Sequence, residues 1–462
     1  MTGRRLPGPH RGTGPTHEIP RSPAGDVLFP AGLWAEAVYS RRAIPATLAE
    51  GHAAPGRNEA EIDPFPHGSR FPLMPPPLHL PPPPEFPADP ADPSDPAVVS
   101  ALLHYSYGLL QHDLTPGGWP LHRAVASARC RYPSELTLVT PTGALRFDPL
   151  HHQLTFMPCS VTGTQCAESE SASRFVVITS RFARTARLYG DYAPRLCAQE
   201  AGMLLGAVHL VASALGLRTR PGQDRRTLND LCAPWLPAAG EHPMGYLELE
   251  RSTSAGGPVD ACPQRPAGRA WPPPDLASVL RARHSGATLF DPEPASAARE
   301  FTGDLEAALA AAPFSDFSCH LLARSITNLA PGHYIHSEGR LRQVGEGDPL
   351  ASLERIGQSE GRVSMNFRST VCVAYLAVRR GTAVARYGDD AFRRLHLGAG
   401  AAAHLICVVA ARHGLAARVH NGYDAATAER LLGLIPDEET VIFQVAVGAA
   451  RPSASFRLPV VF

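Results

Sequence analysis

Arg281-Ala-Arg283-His-Ser285 puts two guanidinium groups and a hydroxyl within five positions. That combination suits a phosphate, which needs fixed positive charge and directed donors. Arg283 brings a planar fork, Ser285 a hydroxyl and Arg281 a second cation close by. The segment is expected at the start of the first helical unit of the second half; the bland alternative is a solvated helix end. Other candidates are weaker. Cys159 and Cys166 are the nearest cysteine pair, and no second pair or His spacing completes a zinc site. His151-His152 belongs to no His-Glu-x-x-His pattern, so no metal is expected. Gly357-Gln-Ser359-Glu-Gly361 matches Gly-x-Ser-x-Gly, but a hydrolase nucleophile needs an apolar strand before it. Leu353-Glu-Arg-Ile precedes it here, which predicts a polar loop.

The chain of 462 residues contains no lysine; all 43 basic side chains are arginine. This excludes Schiff-base chemistry, a pyridoxal phosphate anchor and a P-loop, each of which depends on an amine. A GC-rich genome explains the bias without invoking function. The 43 acidic residues balance the charge, leaving no electrostatic footprint for nucleic acid or an anionic membrane. No apolar run reaches the roughly eighteen residues of a bilayer span. The first thirty residues carry Arg4, Arg5 and Arg11 but no apolar segment of a secretion signal. Nine cysteines, odd in number and not closely paired, fit a reducing cytosol better than a disulfide framework. A cytoplasmic protein is expected.

The elements that must position these groups occur twice. Tyr189-Gly-Asp191 opens a segment ending at Gly216-Leu217, and Tyr387-Gly-Asp389 opens one ending at Gly414-Leu415. Laid together without a gap, they share the Tyr-Gly-Asp triplet, Ala193/Ala391, Arg195/Arg393, Ala201-Gly202/Ala399-Gly400, Val211-Ala212/Val409-Ala410 and the closing Gly-Leu. One fold is therefore expected twice, as a dimer built from a single polypeptide. Residues 1–94 are rich in proline and polar residues, which predicts a disordered start and then an extended arm on the folded body. Helices are predicted over Val98–Gln111 and Arg195–Leu217, a hairpin over Leu136–Phe147, and strands over Phe175–Thr179 and Tyr246–Glu250. Residues 253–274 read as a linker. The second half follows with helices over Leu276–His284, Glu300–Ala312 and Phe392–Leu415, and strands over Ser318–Ala323, Val371–Val378 and Thr440–Val447. Helices alternating with strands argue for an α+β or α/β layer fold.

The order of these motifs resembles the FMN-dependent nitroreductase superfamily, and within it the azoline dehydrogenases of thiazole/oxazole-modified peptide pathways. Ser100-Ala-Leu-Leu-His-Tyr-Ser-Tyr-Gly108 is similar to the family's first helix motif. Arg123 to Glu135 resembles its Pro-Ser-x-Gly-x-Leu-Tyr-Pro-x-Glu segment along the flavin, with Gly-x-Leu altered to Arg129-Cys130-Arg131. Gly143–Pro149 and Gly332–His336 resemble its hairpin, once per half. Arg281–Ser285 followed by Phe290 is similar to its Arg-Arg-Ser-x-x-x-Phe phosphate motif. The resemblance implies two tandem nitroreductase-like domains, 95–252 and 275–462. Each would have a mixed, mostly antiparallel sheet around a long central helix, and together they would form an intramolecular pseudo-dimer.

Only the second half has the Arg-x-Arg-His-Ser element, and only the first has the Ser127…Tyr132-Pro133 segment. In family dimers these parts meet one flavin from opposite subunits, so one complete FMN site and one dead one are expected. The resemblance gives Ser127 and the backbone through Arg129 to the ring edge. Arg129 would stand by the negative charge that develops on reduction; alternatively, Arg129 and Arg131 pair with Glu135 or another carboxylate for structural reasons. Arg451 and Arg457 fall where the family has C-terminal phosphate contacts. The family's Lys-Tyr pair, which handles the proton, is replaced by Leu188-Tyr189 and Arg386-Tyr387. Arginine cannot be a base, but Arg386 could lower the pKa of Tyr387; alternatively both tyrosines are helix-start packing residues. The activity implied is oxidation of thiazolines or oxazolines to azoles in a precursor peptide, after a cyclodehydratase has closed the rings. The alternatives are an NAD(P)H-fed oxidoreductase and a flavin-less scaffold of a peptide-modifying complex.

Overall fold

The computed structural model describes residues 68–80, 91–114, 120–158, 174–236, 240–250, 271–286, 289–293, 295–359, 365–452 and 457–460. In chain order the first half carries β1 (Arg70–Pro72), α1 (Pro96–Tyr107), β2 (Leu109–Asp113), β3 (Leu121–Arg123), β4 (Ser134–Thr140), β5 (Gly143–Asp148), β6 (Gln153–Met157) and β7 (Arg174–Ser180). It continues through α2 (Phe182–Tyr189), α3 (Ala193–Ala214), β8 (Thr219–Gly222), α4 (Arg225–Cys232) and β9 (His242–Leu249). The second half carries α5 (Leu276–Ala282), α6 (Glu300–Ala310), β10 (Ser318–Ala323), β11 (Gly332–Ser337), β12 (Arg340–Glu346), α7 (Leu350–Ser359) and β13 (Thr370–Arg379). After these come α8 (Arg380–Tyr387), α9 (Ala391–Arg412), β14 (Ala416–His420), α10 (Ala425–Leu432), β15 (Glu439–Gly448) and β16 (Arg457–Pro459).

The duplication is visible in the sheets. One runs β1-β6-β5-β4-β7-β9-β8 and the other β12-β11-β10-β13-β15-β14, so from β6 and β12 inward the strand order is the same. The pairings in both are antiparallel, which makes the fold α+β. Proline is confined to sheet edges, and β1, which ends on Pro72, pairs with β6 at the edge of its sheet. A third sheet, β16-β2-β3, joins the last strand of the chain to the first half.

The long helices α3 and α9 pack on each other through the repeated glycines. A Cβ on Gly202 would lie 2.8 Å from the Cα of Leu397, and one on Gly400 would lie 3.0 Å from the Cα of Gly202. The repeated arginines cross in the same way. Buried Arg195 donates to the Ile442 carbonyl (2.5 Å) and to Asn421 Oδ1 (3.0 Å) in the other half. Buried Arg393 donates to the carbonyls of Met244 and Gln223, the positions that correspond to Ile442 and Asn421 at the repeat spacing. A guanidinium fork can satisfy several carbonyls at once, so each arginine ties its own helix to its neighbour's sheet.

Some expectations change. The helix predicted to Gln111 ends at Tyr107, because Gly108 turns the chain into β2. The short helices α2 and α8 precede the long ones, and Tyr189 and Tyr387 end them rather than start a helix. Gly357 and Ser359 belong to α7, not to a loop. The stretches Phe182–Ala214 and Arg380–Arg412 are long and apolar enough to cross a bilayer, although no single apolar run is; both are largely buried in the core. Cys159, Cys166, Gly361 and most of the 253–274 linker lie outside the described residues.

Candidate functional site

Arg283 caps the C-terminal end of α5, not its start, so no helix N-terminus assists it. Nor is it a solvated end: its side chain is buried at 5% exposure. One nitrogen, Nη2, donates to the Arg123 carbonyl of the first half at 3.2 Å. Nε and Nη1 are buried without a partner among the described residues. A buried guanidinium with two idle donors is costly, and an anion would satisfy it. Arg123 adds a second cation at the same place. Its Nε is also buried without a partner there, and its guanidinium lies 4.1 Å from the ring centre of Tyr107 and 4.4 Å from that of Tyr132. His284, next to Arg283, is pushed down to about 4 by burial and then by the positive charges of Arg457 and Arg283.

The other basic candidates are engaged with protein. Arg281 donates to the Leu78 carbonyl of the arm (2.7 Å) and to Tyr105 Oη (2.5 Å). Arg457 pairs with Asp113 Oδ2 at 3.2 Å, and Arg451 donates to the Phe290 carbonyl at 3.0 Å. Ser285 is half-buried beside Gly286, whose φ of +68° turns the chain away from the helix.

The loop from Ser127 to Tyr132 faces Arg283 from the first half. Arg129, Cys130 and Tyr132 all have left-handed backbone, with φ of 50°, 54° and 46°. Such strain in non-glycine residues persists only where the surroundings hold it. Ser127 provides much of the hold: its Oγ accepts from the Tyr132 amide at 2.8 Å and donates to Glu200 Oε2 at 2.5 Å. Glu200 projects from α3, is 2% exposed, and receives a long contact from Tyr107 Oη (3.4 Å). Burial pushes its carboxyl up to about 7, against the hydrogen bond from Ser127 and the charge of Arg123, which pull it down.

The two tyrosines separate. Tyr189 shares a hydrogen bond with Arg129; burial raises its phenol, while the charge and hydrogen bond of Arg129 oppose the rise. Tyr387 donates to Asp316 Oδ2 at 3.1 Å, and its phenol is raised, by burial first and by Asp316 next. The expected lowering of Tyr387 by Arg386 is therefore reversed: exposed Arg386 stacks on the ring (5.1 Å), but Asp316 outweighs it. Among the described residues, the hydrogen bonds, ion pair and ring contacts of Tyr387 and Arg386 run to Asp316, to Arg394 and to each other, not to Arg283, Ser285 or Ser127.

Arg283, Ser127, Arg129 and Tyr189 are thus gathered about one loop, with Arg123 and Glu200 added. Arg123 stood in the segment already singled out. Glu200 carried one signal, as the lone acid in a long apolar helix. Chemically, the arrangement offers an anion cradle of Arg283 and Arg123 where the two halves meet, beside a strained loop over a buried carboxyl. The idle donors of Arg283 fit a phosphate such as that of FMN.

No protein-family model and no curated protein matches the chain. Among solved structures, a protein of Anabaena variabilis assigned as a nitroreductase matches 92% of this chain and 100% of its own, with 20% identity and a TM-score of 0.66. The microcin synthetase complex of Escherichia coli, solved with truncated pro-microcin B17, matches 37% of this chain and 70% of its own, at 15% identity and a TM-score of 0.31. An FMN complex of an assigned nitroreductase from Exiguobacterium sibiricum matches 39% and 92%, at 16% identity and a TM-score of 0.26. The first extends over both halves, and the chain has a nitroreductase-like α+β fold.

Proposed function

We propose that the chain is an FMN-dependent oxidoreductase that dehydrogenates thiazolines or oxazolines in a ribosomally made peptide. One flavin site would lie between domains divided at the 253–274 linker. The observation that carries the flavin is Arg283, buried against the first half's Arg123 carbonyl with two donors idle. In this reading Arg283 grips the phosphate, with Arg123 and Arg457 as further charge and Ser285 as a hydroxyl donor. The Ser127–Tyr132 loop would lie along the ring, with Arg129 and Tyr189 at its edge. Bound flavin would supply a hydride acceptor. The azoline substrate rests on the order of sequence motifs, and a cyclodehydratase is the expected partner. The test is a short synthetic peptide carrying one thiazoline, incubated with the purified chain in air. Loss of two hydrogens by mass spectrometry is expected; an unchanged peptide with a flavin-loaded protein would refute the substrate.

A flavin-less scaffold is the second reading, and a specific observation favours it. Arg281, Arg451, Arg457 and the Ser127 hydroxyl already have protein partners. The visible spectrum separates the two: flavin absorbance supports the oxidoreductase, and a colourless chain after supply of FMN supports the scaffold.

A further inference from the structure

Glu200 stands apart from the residues that the duplication explains. Burying a carboxyl in an apolar helix is unfavourable unless it is hydrogen-bonded, yet α3 carries one at the point where it passes beneath the Ser127–Tyr132 loop. At the repeat spacing the corresponding residue of α9 is Gly398, so the acid exists in one half only. That half is the one whose loop faces Arg283. A residue needed to close the helix pair would be expected twice, as Gly202/Gly400 and Arg195/Arg393 are. A residue tied to the single composite site would be expected once.

Its surroundings form a proton route. Ser127 Oγ is bonded to Glu200 Oε2 at 2.5 Å, and its acceptor side is fixed by the Tyr132 amide at 2.8 Å. Ser127 is half-buried while Glu200 is buried, so this hydrogen bond runs from a partly exposed residue of the loop to the buried carboxyl. The titratable and charged groups around it are Tyr107 from α1, Arg123 from β3, Cys130 from the loop and Cys197 from α3 itself. Beyond them lie Glu135 and Arg184, which act on Tyr107. Among these, Glu200 is the carboxyl that touches the loop's hydroxyl.

We propose that Glu200, acting through the Ser127 hydroxyl, receives the proton that the substrate loses. The proposal rests on the flavin-dependent dehydrogenation inferred above. Bound flavin would accept one ring C–H hydrogen with its electron pair, as hydride. The proton on the adjacent ring carbon passes to Ser127 Oγ as the serine's own hydrogen moves to the Glu200 carboxylate. The carbon–carbon double bond of the azole forms between those two ring atoms. The raised carboxyl, near 7, would let Glu200 take the proton and release it at neutral pH.

The experiment uses the full chain loaded with FMN, the one-thiazoline peptide as probe, and the variants Glu200→Gln, Glu200→Asp and Ser127→Ala. Glutamine still accepts a hydrogen bond from Ser127 but cannot take a proton. The expected result is a fall in kcat of about 100-fold or more for Glu200→Gln, with flavin content and KM little changed. The rise of kcat with pH through about 7 seen in the native chain should vanish, and Glu200→Asp should partly restore it. An independent readout is the infrared difference spectrum of the chain without flavin between acid and alkaline pH. A protonated-carboxyl band titrating near neutrality should be present in the native chain and missing in Glu200→Gln. Native-like turnover and pH dependence in Glu200→Gln would overturn the proposal while leaving the flavin reading intact. A native chain that holds no flavin, or leaves the peptide unchanged, would remove that reading and this proposal together.

Discussion

Gly202→Ala should destabilise the chain although alanine is the better helix former. In an exposed helix the exchange gains about 1 kcal/mol. Here the new Cβ would sit 2.8 Å from the Cα and carbonyl carbon of Leu397, and closer still to its oxygen, where ordinary contact begins at 3.4 Å. The helices α3 and α9 must therefore part by at least about 0.6 Å at the crossing, and the obstructing atoms are backbone that no rotamer change can move. Overpacking of this kind costs about 1–3 kcal/mol and sometimes more. Parting the helices also strains the crossed hydrogen bonds of Arg195 and Arg393, so a net loss of about 2 kcal/mol is expected. Gly381→Ala is the matched control, since its Cβ in α8 meets nothing within 4 Å; it should be neutral or stabilising by up to about 1 kcal/mol. Urea unfolding followed by far-UV circular dichroism would read both. Equal or greater stability of Gly202→Ala would mean that the helices do not cross where the repeated glycines put them.

Arg393→Met should cost about 3–5 kcal/mol in the same assay, because it leaves the Met244 and Gln223 carbonyls without their donor and strips a cation from Asp390. Stability should fall as pH drops below 6.5. Burial lowers His396 and His404 to about 3 in the folded chain, so the unfolded chain takes protons first, and each contributes a loss of up to about 1.4 kcal/mol per pH unit. Glu200 works in the opposite sense: raised to about 7, it costs stability as pH climbs from 4.5 toward 7, so maximal stability near pH 6.5 is expected from urea midpoints across the range. Arg457→Ala removes a partly exposed pair with Asp113 and should change stability by no more than about 1 kcal/mol, measured by urea unfolding.

The duplication was legible because both copies need the same residues at the helix crossing. Gly202 and Gly400 allow the approach, Arg195 and Arg393 reach across, and these are the positions that stand out when the two segments are aligned. The strands read well for the ordinary reason that β-branched residues alternate or cluster in β4, β7, β13 and β15. The site was legible in part. Arg283 and Ser127 stand in local motifs, but a repeat makes Tyr189 and Tyr387 look equivalent. What separates them is the tertiary neighbour, Arg129 for one and Asp316 for the other, which no local pattern encodes. Glu200 stands out in the sequence only as the lone acid of α3, because its partner is a loop about seventy residues earlier in the chain. Arg281 shows the converse, a good phosphate residue by type that the arm's Leu78 carbonyl and Tyr105 have engaged.

Flavin stoichiometry tests the composite site most directly. The chain would be purified after saturation with FMN, and released flavin counted against protein for the native sequence and for Arg283→Gln. One flavin per native chain is expected. In the variant, binding should weaken by about 10- to 100-fold, as loss of a buried charge-assisted hydrogen bond implies. Two flavins per chain, none, or one that binds equally well without the Arg283 guanidinium would contradict the account.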